Sequence, residues 1–178
     1  MMKYFAHLLV VGLMLPNVAM ADTLRLPSDA RIDVQVIDTL SLKKTEPSHD
    51  NVLLKPVVGQ GAEHELPAHC LITADAQLVD GRARLSANTV TCIDMMGDTR
   101  EIYSGDFSAA ARESNGEFGV DVICTETNEQ GCQRAQLPPA HVFQLELGQA
   151  LAIEAQDNPS ERLNEQRRQS AGTSTPSN

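Results

Sequence analysis

CLITADAQLVDGRARLSANTVTCI, residues 70–93, is the stretch on which the reading of the fold turns. Cys70 to Val79 and Ala83 to Ile93 both lean toward extended backbone, and Asp80-Gly81-Arg82 between them is a glycine-bearing turn signal. A three-residue loop there sets Val79 opposite Ala83. Carried outward, the same register sets Cys70 opposite Cys92. Opposed cysteines in a non-hydrogen-bonded pair of an antiparallel ladder lie within reach of a disulfide.

Outward from this hairpin the chain keeps the same grammar. Ile32, Val34 and Val36 alternate with Arg31, Asp33 and Gln35, the period of two of a strand with one buried face. Val52 to Val58 is a short apolar run whose Pro56 suggests an edge strand or a bulge. Polar stretches at Ser41 to Asp50 and Gln60 to Ala68 read as loops. Downstream, Arg100 to Phe107 and Gly119 to Cys124 read as strands divided by the polar turn Arg112 to Gly116. Cys124 to Cys132 is a polar loop, and Pro138-Pro139 then breaks the chain. Val142 to Leu147 and Leu151 to Glu154 are expected to pair with each other around Gly148. Short strands with turns between them and no long helical pattern predict an all-β fold. The expectation is a small barrel or sandwich of antiparallel strands over residues 22–156. Beyond Asp157 no apolar face exists, so 157–178 reads as a flexible polar tail, with a transient helix over Ser160 to Gln169 and disorder from Ala171.

The first twenty-one residues have the three-part order of a secretory signal peptide. Lys3 supplies the positive charge, Phe5 to Leu15 the apolar run, and Ala19-Met20-Ala21 the small residues before a cleavage point at Asp22. An apolar run of this length is too short for a membrane span, which needs about 20 residues. The mature protein is therefore expected outside the cytoplasm, in a periplasm, with no direct membrane span. In such an oxidising compartment Cys70, Cys92, Cys124 and Cys132 read as two disulfides with three possible pairings. The hairpin register selects Cys70–Cys92, which leaves Cys124–Cys132 to staple the polar loop between them.

Composition narrows the function classes. Leaving out Lys3, 13 basic residues face 24 acidic ones, a formal charge of −11. That field disfavours phosphate backbones and anionic lipid surfaces, so no nucleic-acid partner is expected. The mature aromatics are Tyr103, Phe107, Phe118 and Phe143 alone, which argues against a carbohydrate or hydrophobic-ligand pocket. His64-Glu65-Leu66-Pro67-Ala68-His69 superficially resembles a zinc-protease motif. Its histidines are five apart rather than four, and Pro67 would break the helix that must carry them. Nothing in the sequence brings His141 to them. No cysteine spacing suits a metal, and no nucleophile or phosphate-loop pattern is present. The chain reads as a non-enzyme with no cofactor and no metal.

Leu26-Pro27-Ser28-Asp29-Ala30 leads into the strand-like stretch Arg31 to Leu40. His69 to Ala74, Arg84-Leu85-Ser86 and Thr89 to Ile93 then carry two cysteines about a hairpin, and Ile102-Tyr103-Ser104-Gly105 follows. In these features the chain resembles the C-terminal periplasmic β-barrel domain of TraB/TrbI-type conjugation proteins, the scaffold subunits of type IV secretion systems. The resemblance spans Leu24 to Phe107 and, more faintly, Val142 to Glu154. It implies a stand-alone barrel that packs among other subunits, as a structural or accessory component and in some arrangements as a homo-oligomer. Two departures matter. Family members begin with a cytoplasmic tail, a membrane helix and a Pro-rich segment, and their barrel carries a helical antenna that crosses the outer membrane. A signal peptide stands here instead, and no apolar helical pair lies between Phe107 and Val142. The resemblance implies contacts through strand edges and the N-terminal strand. The alternative from a different class is a free periplasmic binding or inhibitor domain, with the Cys124–Cys132 loop offering Glu126 and Glu129 to a basic partner.

Overall fold

The hairpin of residues 70–93 is present in the computed structural model, which describes residues 23–94, 101–156 and 158–172; the expected leader peptide lies outside them. Its strands are β5 (Cys70–Val79) and β6 (Arg82–Asp94). The loop is one residue shorter than expected. Asp80 and Gly81 both have positive φ, 51° and 76°, the conformation of a two-residue turn that matches strand twist, and Val79 pairs with Arg82. The register then shifts between Thr73 and Ala74, where β6 spends an extra residue at Asn88, and beyond it Thr73 faces Thr89 and Cys70 faces Cys92. The bulge offsets the shorter loop. The expected cysteine pair forms, with Cα atoms 3.9 Å apart.

Around this hairpin the sheet closes. The other wall strands are β2 (Arg31–Val36), β4 (His49–Pro56), β7 (Glu101–Arg112) and β11 (Phe143–Leu147). Their order is β5-β4-β2-β11-β7-β6, and β6 returns to β5, giving a six-stranded antiparallel barrel. So narrow a barrel has room only for its own side chains. On β5, β6 and β7 alanines (Ala74, Ala76, Ala83, Ala87, Ala109 and Ala111) are buried among larger residues such as Ile72, Leu85, Val90 and Phe107. On β2, β4 and β11 the inward residues are larger throughout, as Ile32, Val34, Val36, Leu54, Phe143, Leu145 and Leu147, and all are buried. Small residues facing large ones let the layers interdigitate at native density.

Three smaller β pieces flank the barrel. The short strand β8 (Val120–Asp121) extends the wall beside the start of β6. A three-stranded sheet contains β3 (Leu40–Lys43), β10 (Gly131–Leu137) and β9 (Ile123–Asn128), in that order. A two-stranded ribbon pairs β1 (Thr23–Leu26) with β12 (Leu151–Glu154).

Several expectations are corrected here. Residues 143–147 and 151–154 do not pair with each other: β11 lies between β2 and β7, whereas β12 joins β1. Gly148 is not a hairpin tip; its N–H donates to Ser108 O at 3.0 Å and sends the chain across the barrel end. The stretch from Cys124 to Cys132 is not a loop but the body of the β9–β10 hairpin, turning at Glu129-Gln130. The stretch 41–50 holds most of β3 and the start of β4. β4 is not an edge strand, since β5 and β2 flank it; Pro56 is tolerated because it is the last residue, opposite Val34. It does carry a bulge, with Asn51 at φ 59°. β7 runs five residues past Phe107. In the tail, α1 (Pro159–Gly172) covers the stretch Ser160 to Gln169 where a helix was expected, and its described side chains are exposed. Among the described residues no helix is long and apolar enough to cross a membrane.

Candidate protein-binding surface

Closure of the barrel removes the edges of its six strands, so any contact with another protein falls to the outer wall, the end loops and the small sheets. The outer wall is unusual for a chain with 24 acidic residues. Ile37, Leu53, Leu71 and Ile93 cross it diagonally over four neighbouring strand positions, each about two-fifths exposed. Between them stand hydroxyls paired across strands: Thr73 with Thr89 at 2.6 Å and Thr91 with Ser104 at 2.9 Å. No charge falls inside this group. Lys55, Asp75 and Asp106 border it, two residues beyond Leu53, two beyond Thr73 and opposite Thr89. Exposed apolar and hydroxyl side chains standing together with no charge among them make this a candidate contact area.

A second feature lies where β7 ends. The turn from Glu113 to Gly119 brings Phe118 back beside Arg112, and the ring stands half exposed. Arg84 lies over it at 4.3 Å from the centroid and Arg112 at 5.7 Å. Each arginine also donates to the turn's backbone, Arg84 to Phe118 O at 2.6 Å and Arg112 to Gly116 O at 3.2 Å. Arg82 ties the same turn down through Gly119 O, Glu117 and Asp121, and Arg112 is held by Glu146 at 3.0 Å. An exposed aromatic ring fixed between guanidinium groups loses little freedom when a partner covers it, which is why aromatic and arginine residues dominate binding hot spots.

Glu113 roots the turn. It is the one buried charged residue among those described, and its carboxylate accepts the Asp121 N–H at 2.7 Å and meets His141 Nε2 at 2.8 Å. The imidazole thereby ties the Pro138 to His141 turn to the end of β7. His141 thus serves a structural contact, while His64, partly buried, and His69, exposed, lie in the loop before β5. Among the described residues no group of His, Cys, Asp and Glu is arranged to hold a metal.

The acidic hairpin offers less than the sequence suggests. Glu126 is committed to Arg134 at 2.8 Å, leaving Glu129 at the turn. Cys124 and Cys132 are joined, with Cα atoms 5.8 Å apart. Near the same end of the chain's small sheet, Lys43 hydrogen-bonds Glu46 at 2.6 Å and holds that carboxyl below its ordinary value.

Sequence reasoning placed all four cysteines but missed Phe118, Arg84, Arg112 and Glu113. The signal available was local: an aromatic between two glycines, Gly116 and Gly119, in a chain with few aromatics. No protein-family model matches the chain, and no curated protein is similar to it.

Proposed function

We propose that this protein works by binding other proteins outside the cytoplasm, as a structural or accessory subunit of a type IV secretion or conjugative transfer apparatus. The observation that carries binding as its work is the uncharged patch on the outer wall of a strongly acidic chain. The apparatus is suggested by the resemblance of Leu24 to Phe107 to the TraB/TrbI barrel domain. The cysteine hairpin at the centre of that resemblance is supported by the Cys70–Cys92 bridge inside a closed barrel. Two disulfides fit an oxidising compartment, here taken to be the periplasm.

On this reading the barrel is a rigid body presented to its neighbours. The wall supplies apolar contact, and the clamped Phe118 supplies an anchor at one end. The test is affinity purification of the tagged protein from the periplasm of its native host, combined with deletion of its gene. Recovery with core subunits of a conjugation apparatus and a fall in transfer frequency on deletion are the expected results. Recovery as a lone monomer, with transfer unchanged, refutes the apparatus and leaves a free periplasmic binding domain.

A further inference from the structure

The two disulfides occupy opposite environments. Cys70 and Cys92 are 5% and 0% exposed and belong to the barrel core. Cys124 is exposed on β9, a strand on which all six residues are exposed. Its partner Cys132 is half-buried near the tip of the β5–β6 turn, where a Cβ placed on Gly81 would lie 3.9 Å from the Cys132 Cβ. We propose that Cys124–Cys132 is a thiol–disulfide exchange site for a dithiol reductant, and that its reduction releases β9 while the barrel stays closed.

Access decides which bridge reacts. Exchange needs a thiolate to approach a disulfide sulfur, and only the hairpin bridge has a member on the open surface. One thiolate of the reductant attacks Cys124 Sγ, forming a mixed disulfide and expelling Cys132 as a thiolate. The reductant's second thiolate then attacks its own sulfur in that mixed disulfide. The reductant leaves as its disulfide and Cys124 as a thiolate. Two electrons pass to the protein, and the two new thiolates take up the two protons that the dithiol gave.

The consequence is confined by how the small sheet is built. β10 is held on its far side by β3, and its Ala135 and Leu137 are buried in the core, so residues 134–137 do not depend on the bridge. β9 has β10 as its single strand neighbour, and that pairing is broken twice by register shifts around Arg134. The Glu126–Arg134 ion pair across it is more than half exposed on both sides and stabilises little. No β9 side chain enters the core. With the bridge open, residues 123–132 lose their main constraint, and the β10 edge that faced Cys124 to Asn128 becomes free for another strand. This does not depend on the apparatus reading, since a free binding domain would carry the same latch.

The whole oxidised protein would be treated with dithiothreitol under native conditions, with samples alkylated over time and mapped by mass spectrometry. Cys124 and Cys132 should be labelled roughly a thousandfold or more sooner than Cys70 and Cys92, whose exposure requires opening the barrel. Amide hydrogen exchange measured in parallel should quicken over 123–132 and stay unchanged over 70–93. The double variant Cys124→Ser/Cys132→Ser should show that same exchange pattern without reductant. Labelling of all four cysteines together would overturn the proposal. So would selective reduction that left β9 exchange unaltered, or a double variant as protected at β9 as the oxidised protein.

Discussion

Gly119 and Gly116 stand three residues apart in the same turn, both at positive φ, 82° and 86°, yet their surroundings differ. A Cβ on Gly116 would meet nothing within 4 Å, whereas one on Gly119 would lie 3.1 Å from Ala83 O and equally close to the Arg84 side chain. Alanine in the left-handed region costs about 1–2 kcal/mol. Part is offset because replacing glycine stiffens the unfolded chain, by about 0.4–1 kcal/mol. Gly116→Ala should therefore lose roughly 0.5–1 kcal/mol. Gly119→Ala adds displacement of a backbone carbonyl, about 1 kcal/mol of angle strain. It also moves Arg84 off the Phe118 ring, forfeiting roughly 0.5–1 kcal/mol of cation–π attraction. The total is about 2–3 kcal/mol. For a domain of this size each kcal/mol moves the melting midpoint by roughly 3–5 °C, so thermal unfolding followed by circular dichroism should separate the two variants clearly. The Gly119 variant should melt roughly 10 °C below the parent and the Gly116 variant only about 3 °C below. Equal shifts, or a smaller loss at Gly119, would refute the claim that close approach to β6 fixes this glycine.

Two further outcomes test the frame around the surface. Cys70→Ser removes a bridge closing a 22-residue separation, which the chain-entropy relation values at about 3 kcal/mol, so denaturant titration under oxidising conditions should show a loss within roughly 2–5 kcal/mol. An unchanged midpoint would mean that the bridge adds nothing to the barrel. Glu113→Ala strands the Asp121 N–H and frees His141, and should cost about 1–3 kcal/mol with faster hydrogen exchange at the Asp121 amide. A stable variant with that amide still protected would show that the buried carboxylate does not root the turn.

The legible parts of this fold were those written in local pattern. The period-two alternation of Ile32, Val34 and Val36 and the runs on either side of Asp80-Gly81 give strands wherever they stand. The cysteine pairing was reached through two errors that cancelled, a loop taken one residue too long and an unseen bulge at Asn88. Nothing in Ser-Ala-Asn-Thr (residues 86–89) announces a bulge, because its cause is the need to match both β5 and β7. Ala109 to Ala111 was missed as strand because alanine has little preference for extended backbone, and its selection there answers the narrow bore of the barrel. The choice of partner strand was equally hidden. Proximity in sequence favoured β11 with β12, whereas tertiary packing gave β12 to β1 and placed Ile153 against Gly105, where a Cβ would lie 3.2 Å from its Cδ1. Arg112 stands six residues before Phe118, at the start of the same turn, whereas Arg84 comes from β6, so that half of the meeting belongs to topology.

The β1–β12 ribbon has a mechanical meaning. Thr23 pairs with Glu154, so the chain enters and leaves the domain side by side. A load drawn between those two ends would meet the ribbon's hydrogen bonds one after another, as a zipper is opened, instead of shearing them all together. On the C-terminal side the pull would first break the Gln156 contacts with Ile102 and Ser104, and the four residue pairs would then part before tension reached β2 and β11, whose own pairing with neighbours on both sides shares the strain. The ribbon, seated on the core by Leu26, Leu151 and Ile153, thus yields in series with a stiffer barrel. It is a built-in fuse that can lengthen the molecule by one strand at each end while the disulfide-locked body keeps its shape.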